Sequence, residues 1–128
     1  MKPVLFIVPG RPVPKKRPRL GYRGRRVYYT PEETKAYEQH VGWVARPKFE
    51  RPFEGPVIVR LRFFVAAKGR ARGDLDNYTK AVLDSVTGIA FRDDSQVVKI
   101  EAELFECPSS LERVEVEIEQ RAEAEEAS

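Results

Sequence analysis

At 128 residues the chain has the size of one domain and can bury a modest core, since 41% of its residues are hydrophobic and 34% are charged. Its one cysteine, Cys107, excludes an internal disulfide and a cysteine-based zinc site, and its one histidine, His40, excludes a multi-histidine centre, so any metal must be held by oxygen. The net charge of +3 hides a division: residues 1–73 carry 18 Lys and Arg against five Asp and Glu, residues 74–128 carry five against 15, and the halves are about +13 and −10, which points to a nucleic-acid partner or a charged tail.

No apolar run approaches the roughly 18 residues of a membrane span, and the start of the chain is too briefly apolar for a signal peptide, so a cytoplasmic protein is expected. Residues 2–8 read as a short buried strand, broken by the sequence from Pro9 to Pro14. The loop 11–26 then holds Arg11, Lys15, Lys16, Arg17, Arg19, Arg23, Arg25 and Arg26 with no acid among them. With Tyr22, Tyr28 and Tyr29 nearby, this composition favours an arm that grips a phosphate backbone over a plain solvated loop. Residues 27–29 predict a brief strand.

Thr30-Pro31-Glu32-Glu33 is a helix start, with Thr30 as N-cap, Pro31 at the first helical position and Glu33 completing a capping box. The helix is predicted over 31–45, with Tyr37, Val41 and Val44 on its sheet-facing side and Arg46-Pro47 as its end. Trp43 is expected in the core, His40 as a structural or exposed helix residue, and Cys107 as an inert strand-end residue. The stretch 56–65 alternates Val57, Val59, Leu61, Phe63 and Val65 against Arg60 and Arg62, which predicts a strand. A glycine-punctuated basic loop with Lys68, Arg70 and Arg72 leads into a second helix over 75–87, ended by Gly88. On that helix Tyr78, Val82 and Val86 form one stripe, and Asp76, Lys80 and Asp84 form another on the solvent side.

A turn at 89–95 precedes a strand at 96–105 with Val98, Ile100, Ala102 and Leu104 inward. A last strand at 113–119 alternates Val114, Val116 and Ile118 against Glu115, Glu117 and Glu119. Residues 120–128 read as an acidic, disordered tail after a domain spanning 1–119. The fold expected is α+β (mixed α/β): a single domain in β-α-β-α-β-β order, with about four strands in one sheet and helices packed on it.

The chemistry concentrates in Arg72-Gly73-Asp74-Leu75-Asp76-Asn77-Tyr78-Thr79-Lys80 and in Asp93-Asp94. If the strands bring the two acidic pairs together, they make a site of three or four carboxylates, ionised only with a cation to neutralise them. Hard oxygen donors select Mg2+ or Mn2+, and a carboxylate-held cation beside a basic groove is a means of hydrolysing a phosphodiester without a histidine base. Lys80 is placed to pair with these acids or to stabilise charge on the phosphorus oxygens, and Asn77 to fix a loop or contact a phosphate. Equally, an Asp before a helix is a common N-cap, Asp76, Lys80 and Asp84 make an ordinary solvated ladder, and Asp93-Asp94 are turn formers; from the chemistry alone both readings stand. A calcium EF-hand loop is excluded, because a loop starting at Asp74 would need glycine where Thr79 stands and Glu where Ser85 stands.

Taken as one unit, Asp74-Leu75-Asp76-Asn77-Tyr78-Thr79-Lys80-Ala81-Val82-Leu83-Asp84 and Asp93-Asp94-Ser95-Gln96 match the pattern DxDNxxKxxxD followed by DDxQ, and the chain resembles the RusA family of Holliday junction resolvases. The resemblance extends over most of the chain. It implies a small homodimeric, Mg2+-dependent endonuclease that nicks four-way DNA junctions symmetrically, of a kind often found in phages and prophages. By position it implies metal-binding acids Asp74, Asp76 and Asp94, with Asp93 secondary, a catalytic Lys80, and a structural Asp84. DNA contacts are expected from Lys15, Lys16, Arg17, Arg19, Arg23, Arg25, Arg26, Lys68, Arg70, Arg72 and Asn77. Gly73 departs from the family, where a basic residue often precedes the first aspartate. Two rival readings are a non-catalytic DNA-binding module and a nuclease of the same chemistry acting on flaps or RNA hairpins.

Overall fold

Period-two alternation decides the sheet. Val57, Val59, Leu61, Phe63 and Val65 are all buried, while Arg60 and Arg62 emerge on the opposite face, as the pattern predicts. The computed structural model describes residues 2–15, 19–20, 26–27, 32–68 and 73–121, with 19–20 and 26–27 described in backbone only. In chain order the elements are β1 (Val4–Pro9), β2 (Arg19–Leu20), β3 (Arg26–Val27), α1 (Glu32–Ala45), β4 (Val57–Val65), α2 (Leu75–Val86), β5 (Val97–Glu106) and β6 (Arg113–Gln120).

The four long strands form one mixed sheet in the order β1-β6-β4-β5. β6 pairs antiparallel with both β1 and β4, and β4 pairs parallel with β5. The shared register puts Phe6, Val8, Val59, Leu61, Phe63, Val114, Val116 and Ile118 on one face, which α1 and α2 cover. α1 contributes Tyr37, Val41 and Ala45 to this core, and α2 contributes Tyr78, Ala81, Val82 and Val86. The Phe63 and Tyr78 rings lie 5.4 Å apart and lock the first half of α2 onto the far half of β4. The fold is the α+β unit expected.

The other face of the sheet is open and carries charge in rows. Arg60 on β4 reaches Glu117 at 2.6 Å and Glu119 at 2.9 Å on β6, and Glu101 at 3.2 Å on β5. Its guanidinium is held well above the usual arginine range, chiefly by the hydrogen bond to Glu119. Arg62 and Arg113 both meet Glu115 at 2.9 Å, and Arg113 also lies over the Phe64 ring.

Four expectations change. Trp43 is 74% exposed, because its position on α1 falls away from the stripe of Tyr37, Val41 and Ala45. Ile100, in register with Val59, stays 46% exposed because β5 is at the edge of the described sheet, and Val98, at the irregularity that opens the strand, is 47% exposed; Val97, Ala102 and Leu104 are the β5 residues that pack against the core. Of the strand expected at 27–29 only Val27 is described, in the two-residue β3 that pairs antiparallel with β2. Gln120, expected to open the disordered tail 120–128, instead closes β6 opposite Val57, and the Arg121 amide donates to the Pro56 carbonyl at 2.9 Å. Tyr28 and Tyr29, the expected cap Thr30-Pro31 and the rest of that tail, 122–128, lie outside the described residues.

Phe63 is fully buried at the junction of β4 and α2. Phe63→Ala is therefore expected to reduce stability by about 3–5 kcal/mol, measured by urea unfolding. A loss below about 1 kcal/mol would be at odds with this packing.

Candidate active site

The first acidic pair is set by the start of α2. Gly73 has φ +82, a conformation that side chains rarely adopt, and a Cβ there would lie 3.1 Å from the Tyr78 hydroxyl. Glycine at this position is thus demanded by the local backbone and by the ring behind it, which explains the departure from a basic residue. Asp74 then takes the N-cap position, with its carbonyl accepting from the Asn77 and Tyr78 amides at 3.1 Å, yet its carboxylate makes no capping hydrogen bond. Asp74 and Asp76 are both exposed, at the positive end of the helix, where negative charge is favoured.

The second acidic pair is built differently. Asp93 caps the short 3-10 turn Asp94–Gln96: its carboxylate accepts from the Ser95 amide at 3.0 Å and from the Ser95 hydroxyl. These bonds, the hydroxyl's first, hold the Asp93 carboxyl below the usual carboxylate range. The cap's contribution to stability is thus full above the ordinary carboxylate range and is lost progressively as pH falls from that range through the lowered value. Asp94, by contrast, is exposed on the outside of the turn.

Gln96 is the residue that sequence reasoning passed over. Its Oε1 accepts from the amides of Arg92 at 2.7 Å and Asp93 at 3.0 Å, while its Nε2 donates to the carbonyls of Phe53 at 2.9 Å and Gly55 at 2.8 Å. One side chain so ties the Asp93-Asp94 turn to the segment that enters β4. The signal was in view, because the motif DDxQ ends on a residue with two donors and two acceptor sites.

The basic segment is anchored beside the first pair. The Lys15 amide donates to the Asn77 carbonyl at 2.9 Å, on the first turn of α2. The Lys15 ammonium sits 2.8 Å from Glu38 on α1 and 3.1 Å from Asp84 on α2. Burial opposes that charge, but the bonds to Glu38 and Asp84 prevail and hold its pKa above the ordinary lysine value. Lys15, expected on DNA, therefore serves as a strut between the helices in this structure. Lys80 is 60% exposed and lies 3.4 Å from the other Asp84 oxygen, so Asp84 bridges two lysines.

Lys68 is exposed and 3.7 Å from Glu106 at the end of β5. Lys16, Arg17, Arg23, Arg25, Arg70 and Arg72 lie outside the described residues, and Arg19 and Arg26 are placed in backbone only, on the paired strands β2 and β3. A hollow of about 800 Å³ lies on the open face among Leu5, Ile7, Arg60, Glu101 and Glu117, and none of the four aspartates lines it.

The two acidic pairs do not meet within one chain. α2 packs at its start against Phe63, near the end of β4. At its finish, the Gly88 amide bonds Phe91 and the Phe53 amide bonds Ala90, beside the start of β4. Its 12 residues, about 18 Å of helix, lie between Asp74 at its start and the segment beyond its end that bears Asp93 and Asp94. Among the described residues no three acids, histidines or cysteines gather closely enough to hold a metal ion. The donors still suit a hard cation, since Mg2+ is commonly held by one or two carboxylates together with substrate phosphates, and Asp74 with Asp76 offers two.

The family model described as Endodeoxyribonuclease RusA matches residues 9–119. The chain is also 33% identical, over 138 aligned positions covering 90% of this chain and 94% of the other, to the uncharacterized protein YqaN of Bacillus subtilis (strain 168). Among the described residues no helix is long and apolar enough to cross a membrane.

Gln96→Glu preserves shape but removes both donors to Phe53 and Gly55. It is expected to cost about 1–3 kcal/mol in urea unfolding, and an unchanged midpoint would show that the clamp is idle.

Proposed function

Because the chain belongs to the RusA endodeoxyribonuclease family, we propose that it is a divalent-metal-dependent, structure-selective endodeoxyribonuclease that resolves four-way DNA junctions as a homodimer, in recombination and repair. The observation that carries this reading is the meeting of opposite charges at the start of α2. There Asp74 and Asp76 stand exposed, and the chain that leads into the basic arm is hydrogen-bonded to the same helical turn through Lys15 and Asn77. A DNA backbone held by the arm is thereby delivered to the carboxylates.

The residues that would hold the cation, Mg2+ or Mn2+, are Asp74 and Asp76 with Asp94 as the third acid; bound there, it would supply Lewis acidity and activate water near neutral pH. α2 keeps Asp94 at the far end of its own copy, so the third acid comes from a second copy. A two-fold dimer then carries two equivalent sites, matching the two-fold symmetry of a junction cut on both sides. Lys80 directs its ammonium along the exposed face of α2, where Asp84 limits its swing, and offsets negative charge that develops on the phosphorus oxygens. Asp93 and Gln96 act by holding the Asp94 turn in shape. Lys16, Arg17, Arg19, Arg23, Arg25, Arg26, Lys68, Arg70 and Arg72 supply phosphate contacts, with the salt dependence that such contacts bring.

In Mg2+ a four-way junction is expected to receive paired symmetric nicks, while a flap and a linear duplex are cut far more slowly. Asp76→Asn is expected to abolish nicking and leave junction binding measurable, and Lys80→Met to slow nicking by about 10²–10³-fold. Nicking by Asp76→Asn at the native rate would sink the mechanism, and preferential cutting of flaps would reassign the substrate.

A further inference from the structure

We propose that Lys15 is a positioning residue: with Glu38 it holds the Asp84 carboxylate and so keeps Lys80 free to face the reacting phosphate. The inference rests on the nuclease reading above, in which Lys80 offsets charge on the phosphorus oxygens.

Lys15 is fixed through both its backbone and its side chain. Pro12 is buried, Val13 packs against the core, and the Lys15 amide donates to the Asn77 carbonyl at 2.9 Å, so the chain is moored up to this residue. The ammonium lies 2.8 Å from Glu38 on α1 and 3.1 Å from Asp84 on α2, and the side chain is only 25% exposed. To reach a phosphate it would have to leave two carboxylates, which distinguishes it from the exposed Lys68.

Asp84 is shared unequally between its two lysines. Its Oδ2 meets Lys15 at 3.1 Å, whereas its Oδ1 meets the more exposed Lys80 at 3.4 Å. A carboxylate already engaged by a nearer cation attracts a second one less. Lys80 is thereby held loosely, one helical turn on from the exposed Asp76. Asp84 lies one turn further along α2, in the opposite direction from Asp76. Without Lys15, the whole Asp84 charge would act on Lys80 and draw it away from the acids at the start of the helix.

Glu38 acts in the opposite sense, because it draws on the Lys15 ammonium and weakens its hold on Asp84. The four side chains thus form a row of alternating charge, Glu38, Lys15, Asp84 and Lys80, in which each sets the next. The alternation separates this role from a general loss of packing. Removing charge at Lys15 retracts Lys80, and removing it at Glu38 releases Lys80, whereas loosening of the two helices would move Lys80 the same way in both variants.

Acetylation of the protein alone with acetic anhydride, read at each lysine by mass spectrometry, tests the row without DNA or metal. Lys80 is expected to react about two- to five-fold more slowly in Lys15→Met, the range that one exposed ion pair supplies. It is expected to react at least at the native rate in Lys15→Met/Asp84→Asn and in Glu38→Gln. Nicking of a four-way junction at saturation in Mg2+ should follow the same order, slowed by Lys15→Met and regained when Asp84→Asn is added. Binding of the junction without metal supplies a further readout: Lys15→Met should leave the slope of log affinity against log salt unchanged, whereas a lost phosphate contact lowers it by about 0.9. Native-rate labelling of Lys80 in Lys15→Met, no recovery on adding Asp84→Asn, slower labelling in Glu38→Gln, nicking unaffected by Lys15→Met, or a slope lowered by about 0.9 would each overturn the proposal. A native chain that labels as expected yet nicks no DNA would instead overturn the nuclease reading.

Discussion

The parallel pairing of β4 with β5 is the constraint from which the rest follows. Parallel neighbours cannot be joined by a tight turn, so the chain must return along the whole sheet, and α2 is that return. The helix is fastened at one end by Tyr78 on Phe63 and at the other by the bridges among Thr87, Phe91 and Phe53. Acidic residues that flank such a crossover necessarily stand at opposite ends of the domain. A site that used both pairs would thus need more than one copy of the chain.

Charge is distributed by the same logic. Much of the acid in the second half of the chain lines the open face, where Glu101, Glu115, Glu117 and Glu119 meet Arg60, Arg62 and Arg113. Each exposed pair contributes little to stability, of order 0.2–1 kcal/mol. Their effect is to pair the arginines of β4 and β6 locally, so that the positive excess belongs to the arm and the loop before Asp74. Lys15 is the hinge between these regimes, a basic residue by sequence that acts as a strut through Glu38 and Asp84.

The fold was largely legible because its signals are periodic. β4 and β6 alternate cleanly, and α2 repeats Tyr78, Val82 and Val86 at helical spacing. Trp43 and Ile100 misled because apolar character does not say whether a neighbour exists to cover it; α1 turns one outward, and the sheet ends beside the other. Both acidic pairs of the candidate site were also legible, as was Lys80. Their separation was not, since it depends on β4 and β5 running parallel, a relation of direction that no local pattern encodes. Likewise Gly73 reads as a departure until Tyr78 is seen packed behind it, and Asp93 and Asp94 look equivalent until one of them caps the turn.

The sharing of each site between two copies is tested most directly by complementation. Asp76→Asn and Asp94→Asn chains, carrying different tags and purified together as a mixed dimer, should each be inactive alone. If each site draws Asp74 and Asp76 from one copy and Asp94 from the other, the mixed dimer holds one wholly native site and one doubly damaged site. It should then nick a four-way junction in Mg2+, on one strand only. A mixed dimer as inactive as its parents would place all three acids in one chain and contradict the account.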